Sequence, residues 1–179
     1  GTLAIEGALM ASRRAPGLTR PGFAFMKLRG FEEGLWNEMI DEARATRLES
    51  IDIPIIASDH AAQAIEAARE NARAAGVAKL IEFVRCDFSA TPVPETPGVV
   101  ILNPEYGERL GDRRALEDTY TAIGDFFKQK CAGYSGYIFT GAADLAKRVG
   151  LRTKRRIPFF NSTIECRLLE YEMYVGSRE

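Results

Sequence analysis

Three short stretches of this chain set polar groups directly behind apolar runs. In "VVILNPEYGERLG", four aliphatic residues lead into Asn103, Pro104, Glu105 and Tyr106. "IPIIASDH" carries Asp59 and His60 behind one apolar run, and "IEFVRCDF" carries Asp87 and Phe88 behind another. An acid at the end of a strand and ahead of a helix can accept both hydroxyls of a ribose. It can equally cap the helix that follows. A carboxylate can also accept the exocyclic amine of an adenine while a neighbouring aromatic packs the ring face. Asn103-Pro104 ends its strand because proline lacks the N–H that a sheet ladder needs. That puts an Asn and a Tyr where open α/β sheets bind ligands, or else forms a plain turn with Tyr106 packing the rim. Successive strands ending in Asp, Asp and Asn predict a nucleoside-shaped cleft along one sheet edge.

The elements that must hold these groups alternate in a βα rhythm. The pattern predicts helices over 2–14, 31–48, 61–75, 116–130 and 142–149, and strands over 53–57, 80–84, 99–102 and 137–140. Two β-rich segments, 156–160 and 165–175, predict a closing antiparallel hairpin turned by Asn161 and Ser162. A loop rich in Pro and Gly at 15–30 carries Phe23 and Phe25 as aromatic anchors. Leu35, Trp36, Met39, Ile40 and Ala43 fall on one face of the second helix. The unbroken run Val99–Leu102 predicts a strand covered on both faces. Together these elements predict a mostly parallel, doubly wound α/β sheet ending in a hairpin.

Composition narrows the chemistry. A chain of 179 residues, 46% hydrophobic and 27% charged, predicts one ordinary globular domain. The sequence holds no apolar stretch as long as a membrane span and no secretory signal pattern. Cys86, Cys131 and Cys166 lack a C-x-x-C pattern, which argues against a disulfide framework or zinc site and fits the reducing cytoplasm. A lone histidine, His60, argues against a His-based metal site or a Ser-His triad. Net charge is −1, so no global field draws nucleic acid. Locally, Lys147, Arg148, Arg152, Lys154, Arg155 and Arg156 crowd one stretch, and Arg13, Arg14 and Arg20 another. Such runs are either solvated faces or phosphate-contacting patches.

At the start, "GTLAIEGAL" leads Gly1 and Thr2 into a helix, where backbone N–H groups can approach a ligand closely. The order "GTLAIEGALMA", "FAFMKL", "ASDHAAQAIEAARENARAAGV", "IEFVRCDF", "NPEYGERLG", "YIFTG" and "IECRLLEYEMY" resembles the catalytic domain of the large-subunit ribosomal RNA guanine-N2 methyltransferases. Those enzymes are often labelled N6-adenine-specific DNA methylases, and the resemblance covers essentially the whole chain. An Asn-Pro-Pro-Tyr tetrad alone would also admit DNA adenine methylases and protein glutamine methylases. The Gly-Glu-Arg-Leu that follows and the closing Glu-Cys-Arg-Leu-Leu narrow the match.

The resemblance implies a class I, Rossmann-like methyltransferase fold with S-adenosylmethionine as cofactor and RNA, ribosomal RNA in particular, as partner. It implies that Gly1 and Thr2 belong to the cofactor loop. Asp59 matches the ribose-binding acid, with His60 beside it, and Asp87 the adenine-contacting acid, with Phe88 beside it. Asn103, Pro104, Glu105 and Tyr106 match the target-base tetrad, with Asn103 also bordering the cofactor. Glu105 stands in place of the family's second proline. Its carboxylate either faces solvent or accepts the proton released on methylation. The first half of the glycine-rich loop, the central strand before it and a THUMP RNA-binding domain are expected upstream, making 1–179 a methyltransferase-domain fragment. Two other readings remain: an adenine-N6 nucleic-acid methyltransferase, and a non-catalytic RNA-binding subunit.

Overall fold

The computed structural model describes residues 1–104, 113–142, 144–161 and 163–176. The chain divides into two compact units, Gly1–Pro92 and Val93–Glu179.

The first unit contains helices α1 (Thr2–Ala11), α2 (Glu33–Ala45) and α3 (Ala62–Ala74), and strands β1 (Ile56–Asp59) and β2 (Glu82–Arg85). The strands form a parallel pair in which Ile56 matches Glu82 and Asp59 matches Arg85. Parallel neighbours need a crossover, and α3 supplies it. Its Ile65, Ala68 and Ala72 are buried, spaced three and four residues apart as an amphipathic helix requires. Ile5, Ala8, Ala72, Val77 and Ile81 form a core cluster, flanked by partly buried Ile55, Ala57 and Phe83.

Several boundaries differ from the sequence reading. The first helix stops at Ala11, with Arg13 at φ 53°, rather than running to residue 14. Pro16 disfavours helical geometry at residue 15, and the buried Ser12 hydroxyl turns back to the Ala8 carbonyl at 2.6 Å. Strand β1 begins at Ile56 instead of residue 53, because Pro54 can donate nothing to a ladder and Ile53 is 59% exposed. Ahead of β2, residues Ala78–Leu80 make a 3-10 turn, which delays that strand to Glu82. On α2 only Trp36, Ile40 and Ala43 turn inward; Leu35 and Met39 are exposed. Phe23 and Phe25 do anchor their loop, stacked at 5.4 Å and each meeting Trp36 edge-on.

The second unit contains β3 (Val99–Leu102), α4 (Arg113–Lys130), β4 (Ser135–Thr140), β5 (Arg155–Asn161) and β6 (Ile164–Glu172). They form one four-stranded sheet in the order β3-β4-β6-β5. Strands β3 and β4 are parallel, while β6 runs antiparallel to both β4 and β5, giving the expected closing hairpin. Aromatic and aliphatic side chains fill this core: Tyr120, Ile123 and Phe127 of α4 are fully buried, as are Ile138, Leu169 and Tyr171 of the sheet. Gly124 fits here because a Cβ on it would stand 1.9 Å from the Val149 carbonyl oxygen. The predicted helix at 142–149 is a 3-10 segment, Leu145–Val149, ended by Gly150.

Strand β3 departs from its apolar look. Val99 is 61% and Ile101 46% exposed, and only Val100 and Leu102 turn into partial cover. Alternate residues point to opposite faces, and one of those faces lacks cover among the described residues. Among the described residues the strand is therefore covered on one side only. Among the described residues, β1 pairs with β2 alone and β3 with β4 alone.

Candidate functional site

In the first unit, two carboxylates end adjoining parallel strands. Asp59 closes β1 and accepts a hydrogen bond from the Ala61 N–H through Oδ1, at 2.8 Å. Ala61 is the residue that caps α3, so this bond closes a tight turn into the helix and caps none of its first-turn amides. Asp59 is thus not the helix cap that its position allowed. Its side chain is 44% exposed, and Oδ2 has no partner among the described residues. His60 is exposed, with Nδ1 3.8 Å from the same carboxylate, and its backbone carbonyl accepts from Arg85 Nε at 3.4 Å.

Asp87 follows β2 and caps a short 3-10 turn, Phe88–Ala90. Its Oδ1 takes both the Ser89 N–H at 2.9 Å and the Ser89 hydroxyl at 2.6 Å. The Ser89 hydroxyl and amide hold the Asp87 carboxyl below the usual range, and nearby His60 adds to this against a small desolvation cost. Oδ2 of Asp87 has no hydrogen-bond partner among the described residues. Phe88 is half-buried beside it. His60 thus lies beside Asp59. Behind them, the Ser58 and Thr91 hydroxyls bond at 2.7 Å, joining the end of β1 to the segment after β2.

Sequence reasoning passed over Ser89, Ser58 and Thr91. The Asp-x-Ser spacing in "CDFSA" was the available signal for Ser89. For Ser58 and Thr91 no local signal existed, since they stand 33 residues apart.

Gly1 and Thr2 are exposed at the entrance of α1, but Gly1 has a packing reason to be glycine. A Cβ there would stand 2.5 Å from Ala68 Cβ on α3. No hydrogen bond or ion pair joins Gly1 or Thr2 to Asp59 or Asp87 among the described residues.

In the second unit, Asn103 is exposed and Pro104 half-buried, immediately beyond β3 at its carboxyl end. Glu105 and Tyr106 lie outside the described residues. Among the described residues, Asp59 and Asp87 stand at the ends of one parallel strand pair, and Asn103 follows a strand of the four-stranded sheet. On the far side of the tetrad segment, Arg113 binds Asp144 at 2.6 Å and Glu117 at 3.5 Å, and Arg148 joins Glu117 at 2.6 Å.

The basic stretch at 147–156 is partly neutralised. Arg148 pairs with Glu117, Lys154 with Glu172 and Glu170, and Arg155 with the buried Glu170. Lys147, Arg152 and Arg156 form no ion pair among the described residues. In the other stretch, Arg14 meets Glu49 at 3.4 Å and Arg20 lies over the Phe23 ring.

Comparison with known proteins adds an independent line. The family described as RMKL-like, methyltransferase domain, matches residues 1–170. A Synechocystis sp. protein named as an RNA methyltransferase is 37% identical over 174 residues, covering 97% of this chain and 45% of that protein. The ribosomal RNA large subunit methyltransferase K/L of Syntrophotalea carbinolica is 38% identical over 179 residues, covering 97% of this chain and 25% of its own length. This chain therefore spans less than half the length of these curated relatives. A crystal structure described as a methyltransferase complexed with SAH superposes with a TM-score of 0.90 at 27% identity, covering 99% of this chain and 46% of that one.

Proposed function

The chain belongs to the family of RMKL-like methyltransferase domains, and from that membership we propose that it is the catalytic part of an S-adenosylmethionine-dependent RNA methyltransferase acting on the N2 amine of a guanine in ribosomal RNA. The observation that carries the reading is the pair of carboxylates at adjoining parallel strand ends, each with one oxygen held in a local turn and the other without a partner among the described residues. Such acids suit a nucleoside cofactor: Asp59 accepts ribose hydroxyls, and Asp87 accepts the adenine amine with Phe88 beside it. Relatives named as RNA and ribosomal RNA methyltransferases, and the SAH complex of a structural neighbour, support the same reading.

When bound, S-adenosylmethionine supplies a methyl group on a sulfonium, an excellent leaving group. The residues of this chain have the harder task, because the guanine amine is a poor nucleophile whose lone pair is delocalised into the ring. The Asn103 side-chain oxygen and the Pro104 carbonyl accept its N–H groups and favour the pyramidal, more reactive nitrogen. Tyr106 stacks on the base. Glu105 leaves the Pro104 carbonyl in place, since that carbonyl belongs to the preceding residue. Orientation counts for more here than a strong base. A base buried in paired RNA is turned out of its stack before it reaches these groups.

We further propose that the strand edges of β1 and of β3 left unpaired among the described residues are each completed by chain from outside these residues, within a longer cytoplasmic polypeptide that also carries an RNA-binding domain. The open edges argue for it, as exposed ladders are seldom left bare. The deciding experiment has two parts. Isothermal titration with S-adenosylmethionine gives saturable heat if the cofactor reading holds, and none for a bare RNA-binding subunit. Nucleoside analysis of RNA incubated with labelled cofactor then gives N2-methylguanosine; N6-methyladenosine would overturn the guanine assignment.

A further inference from the structure

The first unit holds a polar concavity that neither Asp59 nor Asp87 lines. A cleft of about 320 Å³ is lined by Arg69, Arg73, Ala78, Lys79, Ile81 and Phe83. Glu82 N–H donates to the Ile55 carbonyl and Cys86 N–H to the Asp59 carbonyl, so β2 turns its even-numbered backbone groups toward β1. The Phe83 carbonyl accordingly faces the open edge, where Arg69 donates to it at 3.2 Å with its guanidinium 5.7 Å from the Phe83 ring centre. Arg69 Nε is enclosed without a hydrogen-bond partner among the described residues. Arg73 has only a 3.6 Å contact with the exposed Glu66, and Lys79 has no ion pair among the described residues. The lining thus holds three cations and no carboxylate. Because Lys79 and Ile81 precede β2, the cleft opens at the amino end and outer edge of that strand, opposite Asp87.

We propose that this cleft is an RNA phosphodiester-binding site, gripping the substrate backbone at a distance from the target nucleotide. The inference rests on the RNA reading of the proposed function and names a contact surface for it. A guanidinium fork matches the paired oxygens of a phosphate, and lysine adds a mobile point charge. Arg69 also covers the open strand edge, so Arg73 and Lys79 make the cleaner test. Binding of this chain to a short RNA hairpin is measured by fluorescence anisotropy over a series of salt concentrations. The double variant Arg73→Ala, Lys79→Ala loses about 0.7–0.9 of the log affinity–log salt slope for each phosphate contact removed. Replacing both by Glu weakens binding at least tenfold. Thermal melting and S-adenosylmethionine titration stay as in the unsubstituted chain. An unchanged slope with RNA binding intact overturns the cleft alone. RNA binding absent from the unsubstituted chain overturns the cleft, which lies wholly within it, whereas a nucleoside analysis that finds no methylated base strikes the RNA methyltransferase reading separately. A cleft that takes up an acidic peptide in competition with RNA, at equal affinity, assigns it to a protein partner and overturns the proposal.

Discussion

The two units both end parallel strands in polar residues, yet they are built very differently. The first rests on one pair of four-residue strands over a core of Ile, Ala and Val side chains. The second has four bonded strands and a core filled by Tyr120, Phe127, Leu169 and Tyr171. Two strands alone make a marginal sheet, whereas four over a helix make a stable one. Among the described residues, the carboxylates proposed for the cofactor therefore sit on the smaller frame, and Asn103 on the larger. The difference predicts that the residues proposed for cofactor and for target draw their rigidity from separate sources within this chain. Cofactor affinity should respond to anything that completes the first sheet, while the target residues are held by a core already in place.

The sharpest way to break this comparison is in the larger core. Phe127→Ala removes a fully buried ring packed against Tyr171 and should destabilise the second unit by about 3–5 kcal/mol. Hydrogen exchange should show β4 and β6 amides protected longest in the unsubstituted chain, and that protection lost in the variant. Equal protection in β1 and β2 would erase the contrast.

The next effect falls on chemistry. Asn103→Ala should slow methyl transfer to RNA by on the order of a hundredfold, the scale of removing one positioned polar group from a reacting centre. Cofactor affinity should hardly move, as read by titration calorimetry beside single-turnover transfer. Asp59→Ala reverses this profile. Loss of charge-assisted bonds to a ribose should cost about 1.5–3 kcal/mol of cofactor affinity. Stability should fall by about 1 kcal/mol or less for one lost turn bond. A melting change larger than the affinity change would make Asp59 a structural residue only.

The smallest effect concerns pH. Asp87 has its folded pKa depressed by Ser89, so the stabilisation from that bonding is full above the ordinary carboxylate value and is lost as pH falls through the depressed one. The group is exposed and screened, which limits the contribution to below about 1 kcal/mol. Cofactor binding that needs the Asp87 carboxylate should then hold down to below about pH 4. Ser89→Ala should move that acid limit upward. An acid limb identical in both proteins would separate Asp87 from cofactor binding.

The positions of the candidate residues could be read along the chain, because their signals are local. An apolar run followed by Asp or by Asn-Pro marks a strand end within a few residues, and the strand ends are where Asp59, Asp87 and Asn103 stand. Helix α3 and the closing hairpin were equally plain, from periodicity and turn formers. Strand starts were harder, since Ile53 looks like Ile56 until Pro54 and its exposure are weighed. Gly1 showed a glycine at a helix entrance, but not that Ala68 lies against it.

By itself, then, the sequence determined the order of elements, the identity of the polar groups and the family signature, all of which depend on residues near one another in the chain. Tertiary structure alone decided that Val100 and Leu102, rather than Val99 and Ile101, turn into cover, that Ser58 meets Thr91, and that Glu117, Glu170 and Glu172 neutralise part of the basic stretch. Those outcomes depend on register and on contacts between residues tens of positions apart, where hydrogen-bond pairing and burial are settled by competition across the whole fold rather than by any local pattern.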